Sequence, residues 1–373
     1  MSDTSRKILM GNHAAAEGAL AAGCTFYAGY PITPSSDIME FLADQLPRRG
    51  GAFIQMEDEI ASISAMIGAS WAGAKAMTAT SGPGLSLMME GLGYAAFTET
   101  PCVIIDVQRA GPATGQATRV GAGDILQVRF GSHGDYCPIA LCPWSVQEMY
   151  DLTIRAFNLA ERFRVPSFVL AEEAVGHLRE SVSLHQNFER VERNRDITRP
   201  PFGTPEVDGV PPMPAFGDGA NLMVTGSTHD EWGYRKVDHP REHARLVERI
   251  NRKILDHQDE IGQVERRYLE DAEVAILAYG FTGRSAFAAV RTLRAQGMKV
   301  GLLRLITLWP FPENAVAELG RSVRAVIIPE MNRGQVSAWA RQFLRCPVHC
   351  LNQTNGEVIE PNAIAEKVRE AMS

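Results

Sequence analysis

Short apolar runs alternate with stretches of helical periodicity through the first half of the chain. The runs at 25–28, 52–56, 75–80, 102–107 and 167–170 read as strands, and 13–22, 35–46, 58–72, 85–97 and 145–163 space their apolar residues as helices do. Strands alternating with helices of this length predict βαβ units around a mainly parallel sheet. Near Arg199 the pattern breaks. Pro200, Pro201, Pro205, Pro211, Pro212 and Pro214 crowd together with Gly203, Gly209, Gly217 and Gly219, a loop or linker composition. Charged residues then dominate 235–270, which reads as an exposed helix. A second α/β pattern begins near Ala272, with strands at 273–279, 299–305, 323–328 and 348–351 and helices at 285–295, 335–344 and 362–371. The expected division is therefore a first α/β domain at 1–198, a linker and charged helix at 199–271, and a smaller α/β domain at 272–373.

Composition narrows the function classes. A chain of 373 residues is long enough for about two domains and a sizeable core. The net charge of −7 supplies no electrostatic footprint for nucleic acid. No apolar run reaches the ~20 residues of a membrane span, and the polar stretch 1–7 lacks a signal-peptide core, so a cytoplasmic location is expected. The six cysteines include no Cys-x-x-Cys pair and have no matching histidine or cysteine cluster. They read as reduced thiols in a core rather than as ligands of zinc or an iron–sulfur cluster.

Candidate chemistry sits where strands end, which is where open α/β sheets bind ligands. The tract Gly29-Tyr30-Pro31-Ile32-Thr33-Pro34-Ser35-Ser36 follows the first of these strands. Its prolines stiffen the backbone, Thr33 offers a hydroxyl between them, and Ser35 or Ser36 can cap the next helix. A rigid turn with an N-cap explains the same residues. Glu57, Asp58 and Glu59 crowd the start of the next helix, where acidic residues complement the macrodipole. Glu59 differs from its neighbours because the helix it opens is small and apolar. A carboxylate at the mouth of a buried helix is desolvated and its pKa rises, which suits sharing a proton with a heteroaromatic nitrogen. Thr80-Ser81-Gly82-Pro83-Gly84 reads as an anion-binding turn or as a tight packing turn. Arg109, at a strand end on a Gly/Pro loop, suits bidentate capture of a carboxylate, or is an ordinary surface arginine. His133 is a loop histidine that could approach a site.

Together these motifs resemble the 2-oxoacid:ferredoxin oxidoreductases. The similarity runs through Tyr30-Pro31-Ile32-Thr33-Pro34, Glu57-Asp58-Glu59, the 78–84 turn and Gln108-Arg109-Ala110-Gly111-Pro112-Ala113-Thr114-Gly115. It continues at Trp309-Pro310-Phe311-Pro312 and Glu330-Met331-Asn332-Arg333-Gly334-Gln335, so nearly the whole chain is covered. The chain is most similar to the α subunit of multi-subunit members of the 2-oxoglutarate type. That resemblance implies an α/β fold with a pyrimidine-binding domain of the thiamine-diphosphate type and a transketolase C-terminal-like domain. It implies an enzyme that converts a 2-oxoacid and coenzyme A to acyl-CoA and CO₂ while reducing ferredoxin.

By the same resemblance, Glu59 hydrogen-bonds N1′ of the thiamine diphosphate aminopyrimidine and promotes the ylid. Tyr30, Pro31 and Ile32 lie beside the cofactor, Thr33 contacts the 2-oxoacid, and Arg109 pairs with its carboxylate. Mg²⁺, the diphosphate site and a [4Fe–4S] cluster belong to a β subunit. Gamma and ferredoxin-like delta chains are further expected partners. Gly217-Asp218-Gly219 has the letters of a diphosphate motif but follows no strand, and reads as a turn. The loop departs from the family at Gln116-Ala117-Thr118, and Arg119 beyond it could meet a second carboxylate. Two rival readings share these residues: a pyrimidine-domain subunit of another thiamine-diphosphate dehydrogenase or decarboxylase, and a non-catalytic scaffold.

Overall fold

The structure, a computed structural model, describes residues 5–206 and 208–372. The first part of the chain contains β1 (Ser5–Met10), α1 (Gly11–Ala22), β2 (Phe26–Gly29), α2 (Ser36–Arg48), β3 (Ala52–Gln55), α3 (Glu59–Trp71) and β4 (Ala76–Thr80). It continues through α4 (Gly82–Leu87), α5 (Met89–Phe97), β5 (Cys102–Ala110), β6 (Gln116–Val120), α6 (Ile125–Phe130), β7 (Ile139–Leu141), α7 (Val146–Phe163), β8 (Pro166–Glu172), α8 (Glu173–Gly176) and β9 (Arg179–Leu184). β2, β3, β4, β5, β7 and β8 run parallel in one sheet. Its central strands are mostly apolar and buried along nearly their whole length because both faces are covered. One face packs on α1, α2 and α7, and the other on α3 and α5.

Between β9 and α9 (Pro240–Leu255) no helix or strand forms among the described residues. This proline-rich segment is nonetheless tied down. The buried Arg164 guanidinium donates to the carbonyls of Pro201, Pro211 and Pro212, and Phe202, Met213 and Ala215 are buried. The charged stretch corrects the expectation of one long exposed helix. α9 ends at Leu255 and buries Leu246, Ile250, Lys253 and Ile254. α10 (Gln258–Ile261) and β10 (Val264–Arg267) follow, and β10 pairs antiparallel at the edge of a second sheet.

That sheet is completed by β11 (Val274–Tyr279), β12 (Val300–Leu305), β14 (Ala325–Glu330) and β15 (Val348–Asn352), with α11 (Gly280–Ala295), α12 (Glu313–Ser322), α13 (Gln335–Ala340) and α14 (Pro361–Met372). Its strand order is β10-β12-β11-β14-β15, parallel except for β10. The short β13 (Thr307–Trp309) leaves it to pair with β7 at the edge of the first sheet. One apolar cluster runs unbroken from Ile63, Trp71 and Leu85 to Val274, Leu302 and Ile327, so the two sheets share a core.

The expected helix at 85–97 is two helices with Met88 between them, and the helix expected at 335–344 stops at Ala340. No helix among the described residues is long and apolar enough to cross a membrane.

Candidate functional site

The Tyr30–Ser36 loop leaves the end of β2 and is held from behind. Asn12 on α1 donates through Nδ2 to the carbonyl of Pro34 at 2.8 Å and to Asp37 at 3.0 Å. Of the two serines expected as possible caps of α2, Ser35 holds the N-cap position but makes no side-chain cap. Its hydroxyl turns back to the carbonyl of Ile32 at 2.9 Å, closing the loop on itself. Tyr30, Pro31 and Thr33 remain exposed and Ile32 half-buried, so the loop offers a fixed surface.

Glu59 opens α3 immediately after Asp58, whose carboxylate caps the helix by accepting from the amide of Ala61 at 2.7 Å. Asp58 thus takes the capping role, and Glu59 turns inward to 4% exposure. It is accommodated because position 84 is glycine. A Cβ there would lie 2.3 Å from both Glu59 Oε1 and Thr80 Oγ1. The carboxyl therefore sits against the Ser81–Gly84 turn, beside the end of β4. Burial raises its pKa, its own backbone amide opposes this, and the charge of Asp58 adds to it.

Arg109 lies near the end of β5, which turns through Gly111–Gly115 into β6 as a hairpin. The guanidinium reaches across the end of β4 and donates to the backbone carbonyl of Thr33 at 2.8 Å. Arg109 also lines a cleft of about 560 Å³ whose far wall is the Met331–Gln335 segment of the second sheet's unit. That wall is pinned to the first unit. Asn332 donates to the Ala122 carbonyl at 2.7 Å, Gln335 donates to Gly123 and accepts from Leu126, and the Trp309 indole donates to Ile125. Asn332 is held in turn by the amides of Gly334 and Gln335.

Thr33 and Arg109 are thus brought into contact, while Glu59 packs at Gly84 and does not line the cleft. The remaining candidates fall elsewhere. His133 is exposed and lines a separate cavity with Tyr94 and His243. Arg119 is exposed and lies 3.9 Å from Glu357. Gly217-Asp218-Gly219 is a turn in which Asp218 pairs with Arg195 and accepts from the amide of Ala215. All six cysteines are free.

Residues that pattern alone did not single out surround this site: Asn12, Gln108, Asn332 and, above all, Asp106 and Asp124. The signal was present for Asp106, a carboxylate within the otherwise apolar run Cys102–Val107 of β5.

Comparison with known proteins places this geometry. The family described as pyruvate flavodoxin/ferredoxin oxidoreductase, thiamine-diphosphate-binding, matches residues 17–249, and the pyruvate:ferredoxin oxidoreductase core domain II matches 272–364. The 2-oxoglutarate synthase subunit KorA of Methanocaldococcus jannaschii is 53% identical over 88% of this chain and 89% of its own. Its counterpart in Methanothermobacter thermautotrophicus is 47% identical over 98% of both. The ketoisovalerate oxidoreductase subunit VorB of the latter organism is 38% identical over 98% of this chain and 97% of its own.

Among solved structures, 2-oxoglutarate:ferredoxin oxidoreductase from Magnetococcus marinus, with 2-oxoglutarate, coenzyme A and succinyl-CoA bound, superposes with a TM-score of 0.94 at 33% identity. The match covers all of this chain and 66% of that one. A split-gene transketolase in an inactive β4 tetramer shares the fold, with a TM-score of 0.57 at 13% identity over 98% of both chains. With its motifs, its two matched domains and its relatives in agreement, this chain belongs to the thiamine-diphosphate-binding 2-oxoacid:ferredoxin oxidoreductase family.

Proposed function

We propose that this chain is the α subunit of a coenzyme-A-acylating 2-oxoacid:ferredoxin oxidoreductase acting on 2-oxoglutarate, and that it supplies one side of a site completed by a partner subunit. The observation that carries the reading is the placement of Glu59 in the Gly84 cradle together with an Arg109 oriented on Thr33.

The residues present fit the pyrimidine end of thiamine diphosphate. A buried carboxyl with a raised pKa, backed by a side-chain-free position, is able to hold a proton against a ring nitrogen. When bound, the cofactor supplies the carbon nucleophile and electron sink that decarboxylation of a 2-oxoacid needs. This chain's share is to hold that proton at Glu59, to shape the cofactor's surroundings with Tyr30, Pro31 and Ile32, and to fix the substrate. Arg109 presents a charge to the 2-oxoacid carboxylate, with Thr33 beside it. Its orientation is set before substrate arrives, because one nitrogen is already committed to the Thr33 carbonyl.

The remainder of the reading concerns partners. A β subunit would hold the diphosphate, Mg²⁺ and a [4Fe–4S] cluster, with gamma and ferredoxin-like delta chains and ferredoxin beyond it. Six free cysteines agree with a reducing, cytoplasmic setting. The pyrimidine-binding domain is assigned to 1–198, the linker and charged helix to 199–271, and the C-terminal-like domain to 272–373. Preference for 2-oxoglutarate rests on the relatives of that name being more similar than the ketoisovalerate oxidoreductase. The test is co-purification with the partner chains followed by viologen reduction with 2-oxoglutarate, pyruvate and branched-chain oxoacids, each with coenzyme A. The reading predicts the highest kcat/KM for 2-oxoglutarate, and another oxoacid in first place overturns that assignment.

A further inference from the structure

The carboxyls of Asp106 and Asp124 meet beneath the Arg109 cleft. Asp106 lies within β5 and is wholly buried. No donor reaches either of its carboxyl oxygens, nor Oδ2 of Asp124. The two side chains lie within hydrogen-bonding reach of each other. Asp124 also lines the cleft, and its carboxyl faces the turn at Gly82, where a Cβ would come within 3.3 Å of it. Its amide is held by Gln108 Oε1 at 3.1 Å, so its backbone does not drift from this position. Two facing carboxylates with no donor cannot both stay ionised. One proton between them converts orphaned acceptors into a single O–H···O⁻ bond.

We infer that Asp106 and Asp124 share one proton and act as a positioning pair for charge in the Arg109 cleft, taking up a second proton when an anionic carboxylate seats on Arg109. This rests on the proposed role of Arg109 as the carboxylate site. The titration behaviour agrees with the geometry. Burial, then the charge of Asp124, pushes the Asp106 carboxyl far above the usual range. Burial raises Asp124 to about 6, against the opposing effects of its bond to Asp106 and the charge of Arg109.

An anion on Arg109 offsets that opposing positive charge. It therefore favours the doubly protonated pair, and by reciprocity the doubly protonated pair favours the anion. The other charged groups on the elements packed about the pair are Arg333, which lines the cleft, Glu59, which packs at Gly84, and Glu172, whose strand position is opposite Gln108. No histidine lines the cleft.

The experiment uses the complex purified with its partner chains. Infrared difference spectra between wild type and Asp124→Asn, and between wild type and Asp106→Asn, read the C=O stretch of a buried protonated carboxyl at neutral pH. The KM for 2-oxoglutarate is measured in parallel from about pH 7.5 to about pH 5.5. The pair requires that the band be lost in Asp106→Asn, and that it shift without vanishing in Asp124→Asn, where the buried Asp106 keeps its proton. Wild-type KM should fall about five- to tenfold as pH falls. Asp124→Asn should hold the low value at every pH, whereas Glu172→Gln keeps the wild-type slope. A merely structural pair would move the melting temperature and leave that slope intact. A band that survives in Asp106→Asn or stays at the wild-type frequency in Asp124→Asn, or a slope unchanged in Asp124→Asn, overturns the inference. Absence of turnover with every 2-oxoacid instead overturns the proposed function, and the infrared band then still decides whether the proton is shared. If one variant does not assemble, the other carries both readouts.

Discussion

Arg109, near the end of β5, and Thr33, on the loop after β2, have β4 between their strands and are joined by a 2.8 Å bond from guanidinium to backbone carbonyl. The bond uses the carbonyl rather than the hydroxyl, so the Thr33 side chain is left available. It also uses Nη1, and Nε is buried, so Nη2 is the nitrogen left for a ligand. Lysine at this position keeps a charge but loses the planar fork that reaches Thr33 and an anion together. Arg109→Lys is expected to lower kcat/KM for the 2-oxoacid by roughly ten- to a hundredfold, the size of one charge-assisted hydrogen bond. The loss should appear mainly in KM, with an unchanged melting temperature. Steady-state kinetics and a thermal melt on the same preparation separate the two.

The Glu59 cradle makes a paired prediction. Glu59→Gln keeps the shape and removes the transferable proton, so turnover should fall by about 10²–10⁴ while the complex assembles normally. Gly84→Ala leaves the carboxyl in place chemically but pushes a methyl to 2.3 Å from both Glu59 and Thr80. It should cost activity by displacing Glu59, and stability as well, because the turn cannot retreat from a buried helix. If Gly84→Ala turns over as wild type does, the cradle is not what places Glu59.

Glu172 sets a pH dependence of stability unrelated to catalysis. It is wholly buried at the end of β8 and accepts from the amide of Phe281 at the start of α11, at 3.1 Å. Burial raises its pKa to about 8, against smaller opposing help from the amides of Phe281 and Glu172 itself. A folded-state pKa above the unfolded value means the folded chain keeps a proton that the unfolded chain has released. Stability should therefore fall as pH rises from about 4.5 to about 8, by at most about 1.4 kcal/mol per pH unit. Glu172→Gln retains an acceptor for Phe281 and should flatten that part of the profile. Denaturant midpoints at about pH 5 and about pH 8 give the comparison.

Legibility from sequence followed the physics of each element. The parallel strands other than the three-residue β7, and the helices α1, α2, α3, α7 and α11, were visible because their apolar periodicity is enforced by burial. The pairs β1–β9 and β10–β12, and the edge strand β13, were not. Each is short, half-solvated or set beside a partner far along the chain, so pairing rather than local pattern defines it. Thr33, Glu59 and Arg109 could be picked out as candidates because ligand chemistry sits at strand ends. Asn12 and Asn332 could not, since what they do is hold backbone carbonyls of remote segments. Lys253 shows the same limit. It sits in a run of charge that looks exposed, yet it is buried on a carboxylate.

That carboxylate is Glu99, and it supplies the last prediction. Glu99 is fully buried in a left-handed backbone conformation, with φ of 51°. It accepts two bonds from Arg249, at 2.5 and 2.8 Å, and one from Lys253 at 2.8 Å, while Arg164 donates to its carbonyl. Arg249 and Arg164 also hold Phe202 and Pro201, so this one carboxylate fastens both the proline-rich segment and α9 to the first sheet's unit. Burial pushes its pKa up, but Arg249 and then Lys253 outweigh that and hold it well below the carboxylate range. The stabilisation is therefore complete above about pH 4.5 and is lost as pH falls below it. Glu99→Gln leaves Lys253 buried without its counter-charge. A loss of about 3–5 kcal/mol is expected, as when one partner of a buried ion pair is removed, together with faster proteolysis between residues 199 and 255. Glu99→Asp should recover part of the loss. Cleavage that stays slow in Glu99→Gln would mean that the segment is held by its apolar contacts at Phe202 and Met213 instead.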